Sequence, residues 1–388
     1  MKDWQIVKIG ELYSVHNGLS KGRQFFGTGF PFLTFSNVFN NWFLPNELDS
    51  LVQTTEKERV ACSIKCGDVF ITRTSETMNE LGMSSVALKD YPNATYNGFT
   101  KRLRPITDRV LPNFIGYYLR SPKFRGKFMA FSSMTTRASL ANGDLLNMEV
   151  ELPSIEVQTR IASILSRYDS LIANYQQQIK LLEEAAQRLY KEWFVDFQFP
   201  GHENTQIVDG VPEGWEKKNI LEVYDLQYGK ILPTKAFSPN GKYPVYGASK
   251  VIGRYNVANC FEQKVLIGSR GNAGYVHRTF ENKSYVTNNS FIVTPRSDYS
   301  YVLLPYIYLS FKNMDFVSIC TGSAQPQLTL NSISSQYLIM PNRETIISYC
   351  QICTHFCATI SNLLKQIKVL TEARDRLLPK LMSGEIEV

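Results

Sequence analysis

The feature that most constrains this chain is that a long module occurs in it twice. Residues from Trp4 to Gly18 recur as Trp215 to Gly229, at a shift of 211 positions. A longer, ungapped match sets residues 140–194 against residues 328–382, at a shift of 188. A repeat of this size is a whole module, because solenoid repeats are only about 20–50 residues long. The shift decreases from 211 at the first match to 188 at the second, so the ends of the module are constant while its middle varies in length. This pattern indicates a variable recognition region on a fixed frame.

Length and composition indicate a globular protein of several parts. The 388 residues suit two to four structural units. The content of 44% hydrophobic and 20% charged residues is typical of a globular protein. The first residues lack the apolar run of a secretory signal, and no window resembles a membrane span, so we expect a cytoplasmic protein without a membrane partner. Seven cysteines without framework spacing favour reduced thiols.

The net charge of +7 is unevenly distributed. Residues 1–153 carry a balance of +4 and residues 213–341 one of +5, whereas residues 154–212 carry −3 and residues 342–388 carry +1. The positive charge therefore lies in the two variable regions. Two basic lobes suit binding to a polyanion such as DNA.

Apolar residues repeat every seven positions in the constant part of each module. In the first copy the two rows are Ile161, Tyr168, Tyr175, Leu182, Leu189 and Leu165, Ile172, Ile179, Ala186, Trp193. In the second copy they are Tyr349, Phe356, Leu363, Leu370, Leu377 and Cys353, Ile360, Ile367, Arg374, Leu381, where only Arg374 breaks the pattern. Such heptads predict two helices of about 40 residues, roughly 60 Å long, that pair as an antiparallel coiled coil. Ordinary buried helices are the alternative, and these also need a long partner.

Boundaries follow from helix signals and composition. Each helix opens with a proline and an N-cap residue, Ser154 or Asn342, and has a glutamate two residues later. The second helix is expected to end near Pro379 and Gly384. The stretch 198–214 has the composition of a surface linker. We therefore expect a first lobe at 1–153, a first spacer helix at 154–197, a linker at 198–214, a second lobe at 215–341 and a second spacer helix at 342–384.

The lobes contain short apolar runs separated by turn residues, which are typical of strands. The predicted strands are Phe30–Phe35, Asp68–Thr72, Ser85–Leu88, Lys242–Tyr246, Lys264–Ile267, Gly274–His277 and Ser290–Thr294. Short helices are predicted at Pro112–Leu119 and Pro305–Phe311. The fold class is therefore α+β, with two mixed α/β lobes, two long helices and an internal pseudo-twofold repeat.

No catalytic motif is present. The sequence lacks G-x-x-x-x-G-K-[ST], a G-x-G-x-x-G behind a strand, H-E-x-x-H, and the N/D-P-P-Y/F tetrapeptide expected of an amino-group methyltransferase. We predict a chain without catalytic residues, cofactor or metal. Cys350, Cys353, His355 and Cys357 have the spacing of a zinc half-site, but Cys353 falls on a heptad row, which favours helix packing.

The lobes carry the residue types that hold phosphates and read base edges. The candidate DNA-binding residues are Lys21, Arg23, Asn37, Arg73, Ser75, Arg102, Lys250, Arg254, Arg270, Asn272, Arg278 and Asn289. A weak internal alignment sets Pro31…Ser36-Asn37 against Pro244…Ser249-Lys250, and Thr95–Phe99 against Thr287–Phe291. Arg73 and Arg270 each follow a short apolar strand and should lie at a strand-to-loop edge. At any single position a solvated surface charge is the alternative.

Several runs resemble the specificity (S) subunit of type I restriction-modification systems. These are Tyr243-Pro-Val-Tyr-Gly-Ala-Ser-Lys-Val-Ile-Gly-Arg-Tyr-Asn256, Leu266-Ile-Gly-Ser-Arg-Gly-Asn-Ala-Gly-Tyr-Val276, Leu152-Pro-Ser-Ile-Glu-Val-Gln158, Trp193-Phe-Val-Asp-Phe197 and Arg376-Leu-Leu-Pro-Lys-Leu-Met-Ser-Gly-Glu-Ile386. The resemblance covers the whole chain. The second helix departs from the first in having Ile346 where the first has Gln158, and in its cysteine-rich stretch 349–357.

This resemblance implies two target-recognition domains that each read half of a bipartite, asymmetric site in double-stranded DNA, with the helix pair setting the unread gap. It also implies that chemistry belongs to partners: two S-adenosylmethionine-dependent methyltransferase (M) subunits and, for cleavage, restriction (R) subunits. The residues expected in the spacer and its partner contacts are Gln158, Ile161, Leu165, Ile172, Ile179, Leu182, Ile360, Leu363, Ile367, Leu370 and Leu377. A two-headed coiled-coil scaffold that binds protein or glycan is the alternative, and the missing motifs disfavour a catalytic fusion.

Overall fold

The computed structural model describes residues 4–75, 80–131, 138–139, 141–322 and 324–388. The chain divides into two compact units, and each is built around one lobe. The first unit comprises Met1–Asn174 with Ile367–Val388, and the second comprises Tyr175–Gln366. Each long helix therefore contributes one half to each unit. In the described part of the chain, no helix has the length and apolarity needed to cross a membrane.

The first unit contains the strands β1 to β11 and the helices α1 to α6. The strands are β1 (Gln5–Lys8), β2 (Tyr13–Asn17), β3 (Phe26–Leu33), β4 (Leu51–Val52), β5 (Val69–Thr72), β6 (Thr74–Ser75), β7 (Ser84–Val86), β8 (Thr95–Tyr96), β9 (Thr100–Pro105), β10 (Ala138–Ser139) and β11 (Glu149–Leu152). The helices are α1 (Ile9–Leu12), α2 (Phe35–Asn40), α3 (Glu56–Ala61), α4 (Pro112–Arg120), α5 (Pro122–Phe131) and α6 (Asn142–Asn147).

The helix α7 (Ile155–Phe194) leads into the second unit. The strands there are β12 (Ile207–Val208), β13 (Val211–Pro212), β14 (Glu216–Asn219), β15 (Tyr224–Tyr228), β16 (Tyr243–Tyr246), β17 (Val251–Tyr255), β18 (Val265–Gly268), β19 (Val276–Arg278), β20 (Tyr285–Val286), β21 (Ser290–Pro295) and β22 (Tyr337–Met340). The helices are α8 (Ile220–Val223), α9 (Leu304–Lys312), α10 (Leu330–Ile333) and α11 (Arg343–Ser383). Strands and short helices thus occur where the sequence predicts them, with small shifts at their ends.

The two lobes share one sheet topology. In the first lobe a four-stranded antiparallel sheet has the order β2-β9-β5-β7, and a three-stranded sheet has the order β4-β3-β8. In the second lobe the corresponding orders are β15-β21-β18-β19 and β17-β16-β20. The pairs β3–β8 and β16–β20 are both parallel. A further pair, β1–β11 or β14–β22, joins the beginning of each lobe to its end. The internal repeat of the sequence is therefore a repeat of the fold.

A close backbone contact explains why one glycine is repeated. Single parallel bridges join Leu19 to Asn97 in the first lobe and Lys230 to Thr287 in the second. Beside them, a Cβ atom on Gly18 would lie 2.1 Å from the carbonyl oxygen of Asn97, and one on Gly229 would lie 2.4 Å from that of Thr287. Only glycine permits this approach, so the repeated glycine fixes the same loop geometry in both lobes.

The long helices begin with the expected caps and have the expected lengths. The Ser154 hydroxyl accepts a hydrogen bond from the backbone N–H of Val157, and the Asn342 side chain accepts one from that of Thr345. The helices α7 and α11 contain 40 and 41 residues. Pro379 lies inside α11, which ends one residue before Gly384.

Within each unit the two long helices run antiparallel and share a core. In the first unit the beginning of α7 packs with the end of α11, through Ile161, Ala162, Leu165, Leu378, Leu381 and Met382. In the second unit the end of α7 packs with the beginning of α11, through Tyr190, Trp193, Phe194, Ile346, Tyr349, Cys350 and Cys353. All the heptad-row residues are buried or half-buried. The predicted coiled coil and the α+β fold class are confirmed.

The cysteine cluster of α11 is divided between core and surface. Cys350 and Cys353 are buried in the core of the second unit, where burial raises the pKa of both thiols. His355 is exposed and Cys357 is half-buried. Among the residues that the structure describes, no group of three or more metal-ligating side chains converges. Cys350 and Cys353 therefore pack with the other side chains of this core.

Candidate nucleic-acid interface

In the first lobe, one predicted DNA-binding residue, Arg73, lies where the strands of the large sheet end. Arg73 follows β5, and its backbone N–H donates to the carbonyl of Phe99, at 3.0 Å. Phe99 belongs to the loop 97–99, which precedes β9 and lies beside Leu19. The Arg73 side chain is half-buried, whereas that of Phe99 is 61% exposed. We call residue 73 and the loop 97–99 the strand-end edge of the first lobe.

The second lobe has the same edge with a different set of side chains. Ser269 follows β18, and its backbone N–H donates to the carbonyl of Asn289, at 2.7 Å. Asn272 donates from its amide to the Ser249 hydroxyl, at 2.6 Å, which ties two loops together. Arg270 is exposed on this edge. Residues 249–250, 269–272 and 287–289 form the strand-end edge of the second lobe, which brings together Lys250, Arg270, Asn272 and Asn289 of the predicted set.

The structure corrects one internal alignment. The sequence comparison sets Thr95–Phe99 against Thr287–Phe291, at a shift of 192. The strand pairing instead places Asn97 at the position of Thr287 and Phe99 at that of Asn289, at a shift of 190. The sequence match was misleading because Phe291 is a fully buried core residue of β21, whereas Phe99 is exposed in the preceding loop. The other alignment, of Pro31 with Pro244, agrees with the parallel strand pairs.

Positive charges are close together at the first edge. Lys101, at the beginning of β9, is buried, and its ammonium group donates to the side-chain oxygen of Asn142. Burial lowers the pKa of Lys101, the nearby positive charge of Arg73 lowers it further, and the negative charge of Asp144 partly offsets both effects. Arg73 and Lys101 thus place positive charge at and behind this edge, which favours an anionic or electronegative ligand there.

Two of the predicted DNA-binding arginines, Arg102 and Arg278, have buried side chains. Arg102 in β9 is buried, donates to the carbonyls of Ala61 and Ser63, and lies over the Tyr96 ring. Arg278 is opposite Val265 in the sheet, at the other end of β18 from Arg270. It is buried and contacts Cys357 and the ring of Tyr308. Both arginines therefore lie away from the strand-end edges.

The remaining predicted residues have mixed surroundings. Lys21 is held by Glu58 and the carbonyl of Gln53, and Arg254 donates to the carbonyls of Gly241 and Lys242. Asn37 is the third residue of the capping box of α2, where its side chain accepts from the hydroxyl and N–H of the N-cap residue Thr34. Arg23 is exposed. For Ser75 the structure describes only the backbone, in β6.

The comparisons with known proteins decide the family. A sequence model of the family described as "Type I restriction modification DNA specificity domain" matches residues 1–184 and 212–369, which is most of the chain. The chain belongs to this family. The type I restriction enzyme MjaIX specificity subunit of Methanocaldococcus jannaschii is 26% identical, covering 100% of this chain and 94% of that protein. The type I restriction enzyme HindI specificity subunit of Haemophilus influenzae is 24% identical over the full length of both.

A solved structure has the same fold. The S subunit of a type I restriction-modification system from M. genitalium gives a TM-score of 0.60 at 15% identity, covering 98% of this chain and 96% of that one. As a member of the type I specificity family, this chain is a specificity subunit of a restriction-modification system. The predictions of the family and of a non-catalytic role are confirmed.

Gln158 of this specificity subunit lies inside the protein. Its side chain is fully buried, accepts from the N–H of Leu111 and donates to the carbonyls of Arg109 and Pro153, each at 2.9 Å. It thereby anchors the first turn of α7 to its own lobe. Ile346, at the equivalent place in α11, is buried among apolar residues. Gln158 and Ile346 therefore both hold the beginning of a long helix to its lobe. Gln158 does so by hydrogen bonds and Ile346 by apolar packing.

Sequence reasoning missed Phe99 as a member of the strand-end edge of the first lobe. The internal alignment of Thr95–Phe99 with Thr287–Phe291 pairs Phe99 with a core phenylalanine. The available signal was the spacing from the strand: Phe99 immediately precedes β9, just as Asn289 immediately precedes β21. The hydrogen bonds to the neighbouring strands establish this equivalence.

Proposed function

We propose that each lobe of this specificity subunit reads one half of a bipartite DNA site through its strand-end edge. The single observation that carries the proposal is that the same edge, in two copies of one fold, gathers basic and hydrogen-bonding residues from separate loops. Such residues supply both phosphate contacts and base readout. The two edges differ in chemistry, Arg73 with Phe99 in one and Arg270 with Asn289 in the other, so the two half-sites should differ and the site should be asymmetric.

The long helices would set the unread gap between the half-sites. Helices of 40 and 41 residues span roughly 60 Å at 1.5 Å per residue. Half-sites on one face of DNA recur about every 10–10.5 base pairs. Paired long helices resist bending, so they are suited to hold two readers at a fixed separation. The lobes would then be the target-recognition domains, and the helices the spacer.

Methyltransferase and restriction subunits would supply the chemistry. Methylation of a stacked adenine requires that the base be flipped out of the duplex, so the specificity subunit has to position its partner on the DNA. Each unit carries a groove between its lobe and a long helix, with volumes of about 510 and 440 Å³. The grooves are equivalent, because Leu111 and Ser166 line the first where Leu303 and Thr354 line the second. This duplication supports two methyltransferase subunits, one for each groove.

A substitution in each groove tests the number of partners. We expect Ser166→Trp and Thr354→Trp each to reduce the bound methyltransferase from two copies to one, and the double variant to bind none. Native mass spectrometry of the complex measures this directly. Two bound copies in the double variant would remove the grooves from the partner interface.

Arg270 tests the DNA-reading role. Methylome sequencing of a host with and without the gene gives the target. If Arg270 pairs with a guanine, Arg270→Ala should weaken binding of the complex by about 1–3 kcal/mol on the target and relax preference at one position. If Arg270 meets only phosphate, binding should weaken on every duplex and the salt slope should fall by about one unit.

The matched control is Lys283→Ala, because Lys283 is exposed in the loop between β19 and β20, away from the strand-end edge. Lys283→Ala removes one positive charge, as Arg270→Ala does. Unchanged affinity of Arg270→Ala for target and scrambled duplexes across a salt series would exclude Arg270 from the interface. Equal losses in both variants would indicate only a general effect of charge.

A further inference from the structure

Phe99 is a large apolar side chain held in the solvent by a rigid loop. The loop N–H groups of Asn97 and Gly98 donate to the carbonyls of Leu33, at 3.0 Å, and Leu19, at 2.8 Å. The N–H of Phe99 donates to the side chain of Asn97, and its carbonyl accepts from Arg73. The ring is nevertheless 61% exposed. Single exposed apolar side chains are common on protein surfaces, but a hydrogen-bonded loop presents the Phe99 ring on the proposed binding edge. This placement makes Phe99 a candidate contact residue.

The second lobe pins the equivalent loop in the same way but presents an amide. The N–H of Thr287 donates to the carbonyl of Tyr246, at 3.0 Å, and that of Ser290 donates to the carbonyl of Thr287. The Asn289 carbonyl accepts from Ser269, as the Phe99 carbonyl accepts from Arg73. The Asn289 residue is exposed, and no side-chain hydrogen bond joins it to the residues that the structure describes. The same backbone position therefore carries an apolar ring, Phe99, in the first lobe and a hydrogen-bonding amide, Asn289, in the second.

These chemistries correspond to different base edges. A phenylalanine ring offers no hydrogen bond, but in the major groove it can contact the methyl group of thymine. An asparagine amide can both donate and accept, which suits adenine. A rigid loop lowers the entropic cost of placing either group on binding. We propose that residues 99 and 289 are equivalent specificity-determining positions, at which Phe99 reads a thymine methyl group in the half-site of the first lobe. This inference rests on the proposed function.

Removing only the methyl group from the DNA tests the proposal. The complex with its methyltransferase subunits is titrated with its methylome-defined duplex, in which each thymine of one half-site in turn is replaced by uracil. We expect one replacement to weaken binding about fourfold, the effect of one buried methyl group. Phe99→Ala should bind the thymine and uracil duplexes equally. Asn289→Ala, with its change in the other lobe, should keep the fourfold difference.

Three results would overturn the inference: a first-lobe half-site with no thymine in either strand, no uracil replacement that weakens binding, or the same uracil sensitivity in Phe99→Ala. An unchanged melting temperature shows that this exposed substitution leaves the fold intact. Phe99→Leu, which keeps an apolar side chain, should retain part of the discrimination, and its complete loss would also count against the inference. If the wild-type complex did not prefer its target over a scrambled duplex, the proposed function would fail instead.

Discussion

Arg374 breaks the heptad row of the second helix, and its replacement by methionine should destabilise the first unit. Its guanidinium donates to Asp169 on α7, at 2.6 Å, and the other oxygen of Asp169 accepts from the Tyr117 hydroxyl of α4. The guanidinium also lies over the ring of Trp42, at 5.1 Å. Burial lowers the pKa of Arg374, but the hydrogen bonds to Asp169 and Asp375 outweigh it, so the pKa is raised. The residue that breaks the heptad pattern thus forms an ion pair that links α11 to α7 in the first unit.

The size of the expected loss of stability depends on how deeply the ion pair of Arg374 with Asp169 is buried. The Arg374 side chain is 14% exposed and that of Asp169 is 28% exposed. Removing one partner of a fully buried pair costs about 3–5 kcal/mol. Water can still reach Asp169, which also keeps its hydrogen bond from Tyr117. We therefore expect Arg374→Met to lower the free energy of unfolding of the first unit by about 1–3 kcal/mol.

Urea unfolding followed by far-ultraviolet circular dichroism measures this loss. A double-mutant cycle with Asp169→Asn should give a coupling energy of about 1–3 kcal/mol. The matched control is Lys368→Met on the same helix, whose pair with Glu372 is exposed and 4.0 Å long. It should change stability by no more than about 0.5 kcal/mol. Equal stability of Arg374→Met and the control, or a coupling energy near zero, would refute the reasoning.

The other predictions concern acid stability and spacing. Burial lowers the pKa of His277 to about 4 from its ordinary 6.5, so the folded state favours neutral imidazole. The contribution of neutral His277 to folding stability is complete above pH 6.5. It should fall by about 3 kcal/mol as the pH drops toward 4, because the unfolded chain takes up the proton first. Unfolding at several pH values should show a flatter profile for His277→Phe, and an identical profile would contradict the prediction. Inserting seven residues after both Gln178 and its repeat equivalent Gln366 should lengthen the gap in the methylated site by up to about three base pairs. The half-sites should stay the same, and altered half-sites in methylome sequencing would refute the spacer role.

The sequence by itself determined the duplication, the two long helices and the strand-rich lobes. These features depend on local or periodic patterns. Heptad spacing defines an apolar helix face wherever the partner lies, and the constant shifts of 211 and 188 require each lobe to repeat the same frame. Gly18 and Gly229 are repeated because a backbone carbonyl approaches each of them.

Only the tertiary structure decided which polar residues lie together at the strand-end edges. Arg102 and Arg270 both look like surface cations in the sequence, yet the first is buried against the carbonyls of Ala61 and Ser63 and the second is exposed. The equivalence of Phe99 with Asn289 depends on strand pairing, and the partner of Arg374 is 205 residues away in the chain. Such contacts are set by register between distant segments, and the residue types along one segment do not encode that register.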